Sequence, residues 1–158
     1  MSELRVESFS RNGTRSWDSI KERIGQIEHE VFGDDAFTPD DLSAAFSGRQ
    51  SLAVLLFDGA VLVGYTQAGP ARARDTYYIA NTAIAKTHQG RGVIRLLMER
   101  LYADVRAAGA HFIERDAAIA NGYADRIVRS HAEDIVRTRD HDSPYGMQRF
   151  IRMRVPKD

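Results

Sequence analysis

The stretch Thr82-Ala-Ile-Ala-Lys-Thr-His-Gln-Gly-Arg-Gly-Val-Ile-Arg-Leu-Leu-Met98 is where residue types and spacing point to chemistry in this 158-residue sequence. A β-rich segment runs into a turn holding Gly90 and Gly92, and the turn opens a segment with helical periodicity. Glycine accepts backbone dihedrals that let successive N–H groups face outward, and a helix start adds about half a positive charge. Together they form a site for an anion such as a phosphate or pyrophosphate, which Arg91 and Arg95 would reinforce. Spacing alone leaves a second reading open, in which the glycines only make a tight strand-to-helix turn. Two nucleotide templates do not fit. The dinucleotide pattern G-x-G-x-x-G has Arg95 where its third glycine belongs, and the triphosphate pattern G-x-x-x-x-G-K-[ST] does not occur.

The elements that must position this turn are legible on both sides of it. Leu4 to Ser10 reads as a first strand by alternation. Ser16 is placed to cap a helix whose apolar residues Trp17, Ile20, Ile24, Ile27 and Val31 fall on one face. Thr38-Pro39-Asp40-Asp41 begins a second helix: a threonine cap, proline at the first position, carboxylates at the positive end. Two apolar β-rich runs, SLAVLLF and AVLVGYTQA, then flank Asp58-Gly59, which predicts a hairpin with a type I′ turn. Thr76 to Ala85 is the strand that leads into the glycine turn. A helix from Arg91 to Ala108 follows, with Ile94, Leu97, Met98, Leu101 and Val105 as its buried stripe and Gly109 at its end. His111 to Arg115 is a strand, Asn121 opens a helix, and Asp134 to Arg139 and Met147 to Val155 are two strands around DHDSPYG. This order predicts an α+β (mixed α/β) fold in one domain spanning residues 1–158, with a central mixed, largely antiparallel sheet flanked by helices.

Composition bounds the function. Twenty-two Lys and Arg balance 22 Asp and Glu, so the net charge is zero, which argues against general nucleic-acid binding. The absence of cysteine excludes disulfides, a cysteine nucleophile and a thiolate metal site. Leu52 to Phe57 is the longest apolar run, far short of the roughly 20 residues that cross a bilayer, and MSELRVESFSRNGTR carries no secretory apolar segment. The expectation is a soluble, cytoplasmic domain without nucleic-acid or membrane partners. Its neutrality is a sum of poles: residues 17–48 hold eight acids and two bases, and residues 86–115 hold six bases and three acids. Metal ligation has no support, since Glu28, His29 and Glu30 point to different helix faces and His141-Asp142 has no third partner in sequence.

The segment IANTAIAKTHQGRGVIRLLMERL resembles the central motif of the GNAT-type N-acetyltransferase superfamily, with Thr82-Ala83-Ile84 at the strand end and Gln89-x-x-Gly92 in the loop. Asn121-Gly-Tyr-Ala124-Asp-Arg-Ile127-Val128 is similar to the family's Asn-x-x-Ala-x-x-Leu-Tyr. The resemblance implies an acyl-CoA N-acyltransferase fold and acetyl-CoA as cosubstrate. It implies cofactor contacts from Ala83, Ile84 and Ala85 at the strand end, from Gln89, Gly90, Arg91, Gly92, Val93, Ile94 and Arg95 in the loop, and from Asn121. The sequence departs from the pattern at Ile94, where the family has a small residue, and at Val128, where the family has the tyrosine that protonates the departing thiolate.

Acetyl transfer to an amine needs a base, donors for the oxyanion and an acid or solvent for the thiolate. Tyr123, His131 and Tyr145 are the catalytic candidates: a tyrosine on the first turn of the Asn-headed helix, an imidazole one turn past Val128, and a loop tyrosine near the site. Tyr78 and Asn81, on the motif strand, are suited to ordering a water. The resemblance also sets the first two helices around the acceptor, where Glu28, Asp34 and Asp35 would favour a cationic small-molecule amine, or a protein amine. The alternative is a module of this fold that binds an acyl-CoA without turnover, and a further one is an unrelated nucleotide binder. Phe150, Ile151, Met153 and Val155 on the last strand leave room for a homodimer edge.

Overall fold

A computed structural model of the chain describes residues 3–10 and 13–157. Seven strands form one sheet: β1 (Leu4–Phe9), β2 (Leu52–Asp58), β3 (Val61–Pro70), β4 (Thr76–Ile84), β5 (Phe112–Ala118), β6 (Ile135–His141) and β7 (Gln148–Arg154). Their spatial order is β1-β2-β3-β4-β5-β7-β6. Only β4 and β5 are parallel; every other neighbouring pair is antiparallel. The helices are α1 (Trp17–Phe32), α2 (Pro39–Ser47), α3 (Val93–Ala107) and α4 (Tyr123–Ser130), with 3₁₀ turns at Gly33–Asp35 and Lys86–His88. Among the described residues no helix is long and apolar enough to cross a membrane.

The local signals act as read. Ser16 accepts a bond from the Ser19 amide at the start of α1, and Thr38 and Asp41 form a reciprocal capping box at α2. The two helix layers lie on opposite faces of the sheet. Tyr65, paired with Leu55, reaches Glu28 of α1, whereas Ser8, paired with Val54, reaches Asp104 of α3 at 2.6 Å. Successive residues of β2 face opposite ways, so apolar residues at both kinds of position are covered. Val54, Leu55 and Leu56 are accordingly all buried.

Three expectations shift. The hairpin loop is Gly59-Ala60, since Asp58 still pairs with Val61, and positive φ occurs at Gly59 alone. That is the pattern of a type II′ turn. On α3 the buried residue of the first turn is Val93, while Ile94 faces solvent. The last strand is not a dimer edge: β7 lies between β5 and β6, and Ile151, Met153 and Val155 are buried. The outer position belongs to β6, which carries Arg137 and Arg139.

Gly64 marks the closest approach in the sheet. A Cβ there would stand 2.7 Å from Ile84 Cδ1 and 3.1 Å from the Ala83 carbonyl oxygen. Gly64→Ala should therefore cost about 1–3 kcal/mol of unfolding free energy, the usual range for an overpacked core position, with Gly64→Val costing more. Urea titration reads this, and an unchanged midpoint would show that Ile84 gives way freely.

Candidate active site

The site begins where the sheet divides. β4 and β5 pair over three rungs, Thr76 with Phe112, Tyr77 with Ile113 and Tyr78 with Glu114, and then separate. Ala80 is an extra residue on β4, because Asn81 pairs with Gln67 and Ile79 with Ala68. The Ala85 amide donates to Val63 O at 2.8 Å, so the Ile84–Gly64 pair is of the non-hydrogen-bonded kind. The Ile84 amide and carbonyl consequently face the split, and the carbonyl is taken by Gln89 Nε2 at 2.9 Å. Of the three strand-end residues expected to meet a cofactor, Ala83 and Ala85 turn their amides toward β3. Ile84 alone offers one to the split.

The glycine turn takes the form expected of an anion site. Gly90 and Gly92 have φ of 77° and 70°, and a Cβ at either would meet nothing within 4 Å. Glycine is needed there for its dihedral, with open space beyond it. Among the described residues, no group of this chain accepts a bond from the amides of residues 90–94; the Arg95 amide is the first to bond back, to Gly92 O at 3.3 Å. Five unpartnered amides thus stand at the positive end of α3. Arg91 and Arg95 are exposed beside them, Arg95 paired with Glu99 at 2.8 Å. The turn is held from behind by the Lys86 amide, which donates to Glu30 at 2.7 Å, and by His88, bonded to Asp58 at 2.8 Å. These features fit the pyrophosphate of a CoA-type ligand. At the head of α4, Asn121 Oδ1 accepts the Tyr123 amide at 3.0 Å, which leaves its Nδ2 for a ligand.

On the α1–α2 face a pocket of about 300 Å³ is lined by Phe37, Asp41, Phe46, Tyr65, Ala80 and Asn81, among others. Glu28 stands behind its wall, 1% exposed. It accepts from the Tyr65 hydroxyl, from Asn81 Nδ2 and, at 2.9 Å, from the Phe37 amide. Asn81 Nδ2 also donates to the Tyr65 oxygen at 2.8 Å. Burial, and then the hydrogen bond and charge of Glu28, push the Tyr65 phenol far up, so it keeps its proton. Asp34 and Asp35 are exposed on the turn between α1 and α2.

Adjacent residues of β5 carry opposite charges to opposite faces, just past the last rung with β4. Asp116 faces the α1–α2 side, where it accepts from Tyr78 Oη at 2.5 Å and bonds His141 Nε2 at 2.6 Å. His141 Nδ1 meets the Asp142 carbonyl at 3.1 Å. Both ring nitrogens face acceptors, an arrangement that favours the protonated ring. The bond to Asp116 accordingly raises the His141 pKa. Arg115 faces α3 and α4 and donates from Nη2 to Tyr123 Oη at 2.7 Å. In the sequence, Tyr78 stands only as a residue to order water and His141 only as a metal candidate without partners; Arg115 and Asp116 have no assigned role there, and the signal present is an Arg-Asp pair inside an otherwise alternating strand.

The three catalytic candidates separate. Tyr123 lies at the split on the α3–α4 face. His131 sits at the far end of α4, edge-on to Tyr102 at 5.8 Å, and burial lowers its pKa. It is a packing residue there and is not brought to the split. Tyr145 is 61% exposed in the β6–β7 loop.

The acetyltransferase (GNAT) family model matches residues 17–128 of the chain. Solved structures of similar fold include an Escherichia coli ribosomal-protein alanine N-acetyltransferase, with 13% identity and a TM-score of 0.75 over 99% of this chain and 96% of that one. Another is yncA from Salmonella typhimurium, determined with its cofactor acetyl-CoA, at 18% identity and TM-score 0.73 over 98% and 95%. A mutant of the spermidine N-acetyltransferase SpeG from Vibrio cholerae has 14% identity and TM-score 0.70 over 96% and 93%. Likeness at these identities is one of fold. No curated protein matches the sequence.

The His141 pairing makes a pH prediction. A pKa raised in the folded state contributes stability that is fully present below the unfolded imidazole value, about 6.5, and is lost as pH rises through the folded value. NMR titration should place the His141 ring above 6.5, and Asp116→Asn should bring it down. An unshifted ring in the native chain would refute the pairing.

Proposed function

The chain belongs to the acetyltransferase (GNAT) family, and on that footing we propose that it moves an acetyl group from acetyl-CoA directly to the primary amine of a small cationic molecule. The observation that carries this reading is the β4–β5 split itself. Among the described residues, five free amides stand on one side of it at a helix start, and on the other lies a pocket backed by a buried carboxylate that pairs with no cation.

The amides of residues 90–94 and Arg91 would hold the diphosphate, the Ile84 amide and Asn121 the pantetheine arm. The bound group supplies the activated acyl carbon. Everything else falls to the chain. Glu28 makes the pocket attractive to an ammonium and repels an anion. Its acceptor oxygen is reached through the Tyr65 hydroxyl, so the proton lost by the attacking amine passes to Tyr65 as the Tyr65 proton passes to Glu28. Asn81 fixes both oxygens of that relay, and direct transfer needs no covalent enzyme intermediate. Asp34 and Asp35, exposed on the turn between α1 and α2, would draw cations toward the pocket. Ile94 at the α3 start and Val128 on α4 favour a second reading, an acyl-CoA-binding module without turnover.

Acetyl-CoA should raise the melting temperature, by about 2.7 kcal/mol of stabilisation at a hundred times its Kd, and a panel of amines should release CoA. Binding with no release on any amine selects the module; no binding at millimolar ligand rejects both. Glu28→Gln keeps the side-chain volume and removes the charge. It should lower kcat/KM for the amine about 100-fold and leave acetyl-CoA affinity nearly unchanged. Charge reversal at Asp34 and Asp35 should raise KM for a cationic amine only; equal effects on both substrates would remove these residues from the acceptor site.

A further inference from the structure

Arg115 is a buried cation. It is 6% exposed, makes no ion pair among the described residues, and its Nε is a buried donor that meets no acceptor. Its other contacts are a neutral phenol, Tyr123 Oη at 2.7 Å, and the weakly accepting Met98 sulfur at 4.0 Å from Nη1. The guanidinium carbon lies 5.2 Å from the Tyr123 ring centroid. Its charge is felt by Tyr102 and His131, and in both groups it favours the loss of a proton. A buried guanidinium is ordinarily paired, because leaving its charge and donors unmet is costly. An incoming anion would repay that cost.

The position of Arg115 says which anion. It is the first residue of β5 beyond the last rung with β4, on the face that carries α3 and the glycine turn. A slim ligand laid along the split from that turn toward the acceptor pocket passes over it. We propose that Arg115, together with the Tyr123 hydroxyl it holds, stabilises the sulfur anion set free when the thioester is cleaved. This rests on the acetyl-transfer reading and gives that reaction the group that Val128 does not supply. The acyl carbon gains a bond to the amine nitrogen and loses its bond to sulfur, whose electron pair stays on sulfur. The sulfur then accepts from Arg115 Nε–H and the Tyr123 O–H. The amine proton goes to Glu28 and on to solvent, and sulfur regains a proton from solvent on release.

The test titrates the thiol of bound CoA through the ultraviolet absorbance of its thiolate, and it needs no turnover. In the native chain the bound thiol should ionise about one pH unit below free CoA, a tenfold change in its ionisation constant. Arg115→Met and Tyr123→Phe should each move it back toward the free value. Arg115→Lys, which keeps the charge, should lie between. CoA affinity at acidic pH should stay within about twofold, since a merely structural role would weaken both thiol and thiolate forms alike. If Arg115→Met fails to fold, the native chain alone decides: its preference for CoA over desulfo-CoA should grow about tenfold as pH rises through the thiol range. A thiol that titrates as in free CoA, with CoA bound, overturns the Arg115 role and leaves acetyl transfer standing. Failure of CoA to bind overturns the transfer reading and the Arg115 role with it.

Discussion

Glu28 is the contact on which the α1–α2 side of the molecule depends. Its carboxylate is fully enclosed, and it joins α1, the α1–α2 connection, β3 and β4 through bonds from Tyr65, Asn81 and the Phe37 amide. A buried carboxylate has to be met by several donors, and each of these donors would in turn be left unmet without it. The geometry of the pocket wall and the orientation of Asn81 therefore follow from one carboxylate, which adds to burial in keeping the proton on Tyr65. Glu30, two residues on, repeats the pattern at the surface by receiving the Lys86 amide. The end of α1 thus sets both the wall of the pocket and the start of the glycine turn.

β5 organises the opposite side. Because its residues alternate, Arg115 and Asp116 send a cation to the α3–α4 face and a clamped anion to the α1–α2 face within one peptide of each other. The zero net charge of the chain conceals this arrangement. The acidic early helices and the basic glycine turn are poles on the scale of whole elements, and β5 reproduces the division on the scale of two residues.

Most of the fold was legible because it rests on local chemistry: the Ser16 and Thr38 caps, the 3.6-residue stripe of α1, the apolar runs of β2 and β3. The glycine turn was legible for the same reason. What failed depended on neighbours distant in sequence. Ile94 and Val93 are equally apolar, and only the docking of α3 on β2 decides which is buried. The last strand looked like an edge from its composition, but β6 folds back outside it. His131 shares a stripe with Val128, yet a helix of eight residues carries it away from the split to Tyr102. The Tyr78–Asp116–His141 cluster joins residues 38 and 25 positions apart, and the Glu28 cluster joins residues 37 and 53 apart. No periodicity can show such meetings.

The Tyr78–Asp116–His141 cluster has a mechanical meaning as well. β4 and β5 part after three rungs, and two strands with free edges would tend to zip further or be prised apart by whatever enters. Tyr78 and His141 both bond Asp116 at the apex, which ties β4, β5 and β6 together behind the split. A split whose base is already tied in this way would spend little of a ligand's affinity on rearranging the sheet.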